Sequence, residues 1–199
     1  MIKASAPRES LPARPFMFVR HGETDWNVRQ LHQGQRDIPL NAAGRKQARL
    51  CAEALRAQPI GAICTSPLVR ARETAEIIAR AHPAEIAEIA EIDDLAECGF
   101  GELEGQPKTD AAFDSRWRAG AAPHGVEPYA AFSERVLRGV ARALRRDGPV
   151  LVVAHRAVFW PLAEVLCGAV PDDLANGQPV MLLPPAATGA PWRMELGMR

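Results

Sequence analysis

Two apolar runs in this chain each deliver a histidine. Phe16-Met17-Phe18-Val19 leads into Arg20-His21-Gly22-Glu23, and Val150-Leu151-Val152-Val153-Ala154 leads into His155. An imidazole titrates near neutral pH and can act as a nucleophile or as an acid and base. Arg20 presents a planar fork of donors that suits phosphate or carboxylate, and Gly22 lets backbone approach an anion closely. Together these residues describe an anion pocket with a nucleophile in it. The tripeptide alone is explained equally well by a buried strand that ends on a hydrogen-bonded structural histidine.

Two further stretches weigh against that plainer explanation. Ser66-Pro67 precedes a helical pattern that carries Arg70 near its beginning, where the helix N-terminus also favours anions. Leu95 to Gly105 is a glycine-rich loop with three carboxylates, Glu97, Glu102 and Glu104. A metal bound by His21, His155 and Glu97 is disfavoured, because Arg20 and Arg70 would repel a cation. Neither a metal nor a cofactor is expected.

The elements that must position these groups follow from periodicity. Four or five apolar residues are too few for a helix and read as buried strands, and ligands collect at the carboxyl ends of strands in open α/β sheets. Asn41 is a good N-cap for a helix to about Ala57, with Ala48, Cys51, Ala52 and Leu55 on one face. Ile60 to Cys64 reads as a strand and Leu68 to Ala81 as a helix. A strand is expected within 84–92, although its Ala-Glu-Ile triplets fit neither period well. A short helical piece near Asp110 to Arg118 and a strongly amphipathic helix over Tyr129 to Arg146 follow. A helix over Val158 to Cys167 and strands near Val180 to Leu183 and Trp192 to Leu196 complete the pattern. This alternation predicts an α/β fold, a three-layer α/β/α sandwich with a mostly parallel central sheet. Residues 1–15 read as a flexible leader and 16–199 as a single domain. Residues 93–128, rich in Gly, Pro and charge, read as an excursion over the active site, where substrate-selecting loops belong.

Composition narrows the function classes. At 199 residues, 47% apolar and 24% charged, the chain is ordinary for a soluble globular domain. Lys and Arg total 24 and so do Asp and Glu, so nothing draws the chain to nucleic acid or an anionic membrane. No apolar run reaches membrane-spanning length. Lys3, Lys46 and Lys108 are the only lysines; most of the arginines read as compositional bias. The four cysteines show no metal-type spacing, and Cys51 and Cys64 read as buried free thiols. The N-terminal stretch lacks the apolar core of a signal peptide, and a cytoplasmic setting is expected.

The ordered set of motifs resembles the histidine phosphatase superfamily, the phosphoglycerate mutase-like proteins, over roughly residues 16–196. It comprises Arg20-His21-Gly22-Glu23, Asn27, Gly34 with Asp37-Ile38-Pro39-Leu40, and Gly44 with Gln47-Ala48. Ser66-Pro67 with Arg70-Ala71 and Thr74-Ala75, Glu97 with Phe100-Gly101 and Glu104-Gly105, and the terminal His155 complete it. The resemblance implies a metal-independent phosphomonoesterase in which His21 takes the phosphoryl group, while Arg20, Arg70 and His155 hold its oxygens. It implies Glu97 as the proton donor, preferred over Glu102 and Glu104, and Glu23 as a residue that orients the loop. Asn27, Thr24, Gly34 and Arg156 are expected around the substrate. A cofactor-dependent phosphoglycerate mutase is the nearest alternative, and a silent phospho-ligand binder a more distant one. Arg156 departs from the pattern, which usually has Gly after the second histidine. Its side chain either turns away from the pocket, the option favoured here, or adds a guanidinium for a more anionic substrate. Of the remaining histidines, His82 is expected at a helix C-terminus, and His32 and His124 in loops, with His124 nearer the substrate. The implied partner is a small phosphorylated substrate, with no nucleic acid and no membrane; a homodimer is left open.

Overall fold

The computed structural model describes residues 11–83, 86, 88–171, 174–187 and 190–197. Its strands are β1 (Phe16–Arg20), β2 (Ala62–Thr65), β3 (Glu88–Glu91), β4 (Val150–Ala154), β5 (Pro179–Leu183) and β6 (Arg193–Leu196). They form one sheet in the order β3-β2-β4-β1-β5-β6. The first four in that order pair in parallel, and β5 and β6 add an antiparallel edge. β4 is buried throughout and β1 up to Arg20, as continuous apolar runs should be when both faces are covered.

The helices are α1 (Asp25–Val28), α2 (Ala42–Ala54), α3 (Val69–Ala81), α4 (Phe113–Arg118), α5 (Tyr129–Ala143) and α6 (Arg156–Leu162). Strand side chains alternate between faces, and the core divides accordingly. Met17, Val19, Ile63, Leu151 and Val153 pack with Cys51 and Leu55 of the α2 region and Ala71, Ala75 and Ile78 of α3. Phe16, Phe18, Cys64, Val150 and Val152 pack with Phe132, Val136 and Val140 of α5 and Val158 and Phe159 of α6. The result is the three-layer sandwich. Phe132 is fully buried, and truncating such a residue to Ala costs about 3–5 kcal/mol. Burial pushes the Cys51 thiol up to about 12 and Cys64 to about 11, as inert core cysteines should show.

Several boundaries differ from expectation, each for a local reason. The helix expected from Val158 begins at Arg156, because His155 is extended at φ −125° and serves as its N-cap. It relaxes into a wider π turn over Ala163–Cys167, beyond Pro161, and ends at Gly168 with φ 73°. Thr24 and Asn27 form a reciprocal cap that creates α1, an unexpected single turn. Of the expected strand at 84–92, Glu88–Glu91 is formed, and residues 84, 85 and 87 lie outside the described residues. Residues 1–10 of the expected leader also lie outside them. Residues 11–15 do not behave as a leader: Leu11 is buried in the core, and Arg14 donates to the Arg146 carbonyl at 3.0 Å and to Gly148. Among the described residues no helix is long and apolar enough to cross a membrane.

Candidate active site

The two histidines meet because their strands do. β1 and β4 are neighbours in parallel register, Arg20 opposite Ala154, so the residues that follow them leave the sheet side by side. The His21 N–H donates to the Ala154 carbonyl at 2.9 Å, and the two imidazole rings lie 5.1 Å apart at 62°. His21 Nδ1 is 2.7 Å from the Gly22 carbonyl. A carbonyl only accepts, so Nδ1 carries the proton and Nε2 keeps a free lone pair. Gly22 is required here: a Cβ would meet the Gly44 carbonyl at 2.4 Å. Its N–H donates to Thr74 Oγ1 at 3.0 Å, which ties the loop to α3.

Two guanidinium groups surround this imidazole. Arg70, in the first turn of α3, is 1% exposed and donates to the Gly34 and Arg36 carbonyls, both at 2.8 Å. Asp37 supports it from the same loop by accepting the Val69 N–H at 2.6 Å. Arg20 donates to the Leu174 carbonyl at 2.6 Å. Burial, then Arg70 and Arg20, hold the His21 pKa well below its ordinary value, so the ring is neutral at physiological pH. His155 is lowered well below its ordinary value by burial first and Arg70 second. Burial also lowers Arg70 to about 10, which leaves it charged at neutral pH.

The carboxylate opposite them belongs to Glu97. Its carboxyl loses water on folding, and that loss raises its pKa above the usual range despite the Cys98 N–H bond and the charge of Arg70. The loop that carries it is clamped by Arg135 of α5. Arg135 donates to the Asp94, Ala96 and Glu97 carbonyls at 3.0, 2.7 and 2.9 Å, and to both oxygens of Glu127 at 2.7 and 2.8 Å. Glu127 in turn accepts the Gly99 N–H at 3.2 Å. The two competing carboxylates are placed elsewhere. Glu104 accepts the Gln35 and Phe100 N–H groups and pairs with Arg36, and Glu102 is exposed on the loop.

These groups enclose a cavity of about 40 Å³ whose wall includes Arg20, His21, Asn27, Gly34, Arg70 and Glu97. One water needs about 10–15 Å³ of such space, so a phosphoryl-sized group fits. His155 is wholly buried behind His21 and does not itself form the wall. Its Nε2 contacts Ser66 Oγ at 2.8 Å, and its Nδ1 has no partner among the described residues. Thr24 also stands behind the wall: it is fully buried, and its hydroxyl reaches Gln33 at 3.0 Å. Arg156 corrects the favoured expectation. It lines the cavity, paired with Asp114 and lying 5.0 Å over Trp160. Among the described residues no group of three His, Cys, Asp or Glu is arranged to hold a metal.

A family model, the histidine phosphatase superfamily (branch 1), matches residues 16–179. The chain belongs to that superfamily. It is 38% identical over 157 residues to the uncharacterized phosphatase PhoE of Bacillus subtilis, across 77% of this chain and 78% of that one. It is 34% identical over 164 residues to the "Probable phosphoglycerate mutase GpmB" of Yersinia enterocolitica, across 77% and 74%. Among solved structures, a mycobacterial glucosyl-3-phosphoglycerate phosphatase complexed with VO3 superposes with a TM-score of 0.78 at 26% identity. That match covers 94% of this chain and 99% of the other.

For a histidine phosphatase, the inner wall was legible in the motifs and the outer wall was not. His32, Gln33, Phe100, Lys108, Asp114 and Trp160 also line the cavity. His32 was expected in a loop, and it proves buried against Phe100 and Phe113. His124 is exposed and outside the cavity wall. His82 caps α3 as expected, its Nε2 3.0 Å from the Gln58 carbonyl. Lys108 carried one usable signal, as a rare lysine inside the excursion of an arginine-rich chain.

Proposed function

We propose that this histidine phosphatase hydrolyses phosphate monoesters of small metabolites without a metal, through a phosphohistidine on His21. The observation that carries the reading is the state of His21. It is a neutral imidazole whose Nδ1 proton is bound to the Gly22 carbonyl, which frees Nε2 in a cavity that Arg20 and Arg70 also line. In the first step the Nε2 lone pair bonds to phosphorus in line. The bond to the ester oxygen breaks, and Glu97 gives that oxygen its proton. In the second step water bonds to phosphorus, Glu97 takes the water's proton, and the phosphorus–nitrogen bond breaks to release phosphate and neutral His21. Arg20 and Arg70, which line the cavity, meet the charge on the phosphoryl oxygens, the dominant contribution in such transfers, while His155 packs behind His21.

A turnover screen over phosphate monoesters in the presence of EDTA tests this reading, together with rapid quenching to trap an acid-labile phosphoprotein. Unchanged rates with chelator and a His21-dependent label are expected. Loss of activity on chelation with recovery by a divalent metal would overturn the mechanism. The mutase-named relatives support a second reading, transfer between the positions of a phosphoglycerate. The mutases this chain resembles look longer between the acid and the second histidine than the segment from Glu97 to His155 here, and a shorter segment favours hydrolysis because it leaves a site more open to water. Interconversion of 2- and 3-phosphoglycerate faster than phosphate release would decide for the mutase.

A further inference from the structure

Phosphoryl transfer leaves part of the cavity wall unused. Beyond the groups already given roles, the cavity is lined by His32, Lys108 and Asp114 beside the aromatic faces of Phe100 and Trp160. Two loops are zipped together to build this wall. The Gly105 N–H donates to the His32 carbonyl at 2.8 Å, the His32 N–H to Gln106 at 3.0 Å, and the Lys108 N–H to Gln30 at 2.8 Å. Leu31 and Pro107 form an antiparallel bridge in the same ladder. Backbone pairing therefore sets His32 and Lys108 in place before any ligand arrives.

His32 is 6% exposed. Phe100 and Phe113 hold its ring edge-on at 5.1 and 5.2 Å. Its Nδ1 is buried with no partner among the described residues, a condition that native structures seldom tolerate without a reason. Burial, reinforced by Lys108, lowers its pKa, so the ring is neutral and offers one donor and one acceptor. Lys108 adds donors and Asp114 an acceptor, while Arg156 is already paired to Asp114 over Trp160. Donors and acceptors thus share one wall with two aromatic faces.

That mixture discriminates between leaving groups. Asp114 and Arg156 neutralise each other, so a second anion would find Lys108 as its one remaining charged partner on this wall. A purely apolar group would leave His32, Lys108 and Asp114 desolvated without partners. Hydroxyl groups both donate and accept, and they serve all three.

We propose that this wall is a subsite for a polyhydroxylated leaving group, with His32 reading one hydroxyl, so that the substrate is a polyol or sugar phosphate. The proposal rests on the phosphomonoesterase reading above. Three phosphates of equal chain length test it: glycerol 3-phosphate, propyl phosphate and 3-phosphoglycerate, with p-nitrophenyl phosphate as a reporter of basic turnover. The wild-type kcat/KM should favour glycerol 3-phosphate over propyl phosphate by about 100-fold, since a site built for hydroxyls rejects analogues lacking them. 3-Phosphoglycerate, which keeps one hydroxyl and adds a carboxylate within reach of the Lys108 charge, should also be favoured over propyl phosphate. His32→Phe should cut the glycerol-to-propyl ratio by about 10-fold or more, and His32→Met should do the same without a ring. A ratio measured on one preparation is independent of the fraction folded. A wild-type ratio near one, or an unchanged ratio in both variants, would overturn the subsite. Failure to turn over p-nitrophenyl phosphate would instead overturn the hydrolase reading.

Discussion

The inner end of the pocket is made by strand ends, and the outer end by loops and the short helices α4 and α6. His21 and His155 follow neighbouring parallel strands whose register sets them side by side, and both are buried. Glu97, Lys108 and Asp114 come from the excursion at 93–128, where order depends on clamps such as Arg135. A group anchored in a sheet has no alternative position without unfolding the core. A group on a loop can be moved by changing a few hydrogen bonds. The inner end therefore suits chemistry that must not vary, and the outer end suits selection and proton transfer. Substitutions in the two regions should fail in different ways.

The largest effect is expected at the inner end. His21→Ala should lower turnover about a million-fold, as loss of an essential nucleophile does, and should abolish phosphoprotein labelling. Residual labelling at another residue would break the comparison, because the nucleophile would then lie outside the strand ends.

Glu97→Gln should cost about a hundred- to ten-thousand-fold. The loss should be smallest for p-nitrophenyl phosphate, whose leaving group needs least protonation. Equal losses for aryl and alkyl phosphates would remove Glu97 from the role of acid. The pH profile sharpens the same point. His21 is depressed below its ordinary pKa and must be neutral, so activity rises as pH climbs through its value. Glu97 is raised above its ordinary pKa and must be protonated, so activity falls as pH climbs through its value. The optimum lies on the acidic side of neutral, and Glu97→Gln should remove the falling limb. The apparent values belong to the coupled site rather than to single residues.

Arg135→Lys keeps the charge but loses the fork that grips three carbonyls and Glu127. It should lower kcat for alkyl phosphates by about 10- to 100-fold, the scale of a misplaced acid, with much less change for p-nitrophenyl phosphate. A uniform loss across leaving groups would mean that Arg135 supports the fold and not the position of Glu97.

Much of this was written along the chain. The apolar runs before His21 and His155 announced buried strands ending in chemistry, and the alternation of elements announced a layered α/β sheet. Those signals are local, because a strand buried on both faces needs an unbroken apolar run wherever it sits. The residues of the outer wall left no such mark. His32 looked like a loop histidine and Arg156 like one more arginine turned to solvent. Nothing local distinguishes a loop residue that faces solvent from one pressed against a cavity. That difference is made by contacts between segments far apart in sequence: residues 30–32 with 105–108, Arg156 with Asp114, and Arg135 with the Glu97 loop. The sheet and the two histidines at its strand ends could be read along the chain, because both signals are local. Which side chains close around those histidines emerged from the folded chain alone, because their burial depends on pairing across long separations and not on any period in the sequence.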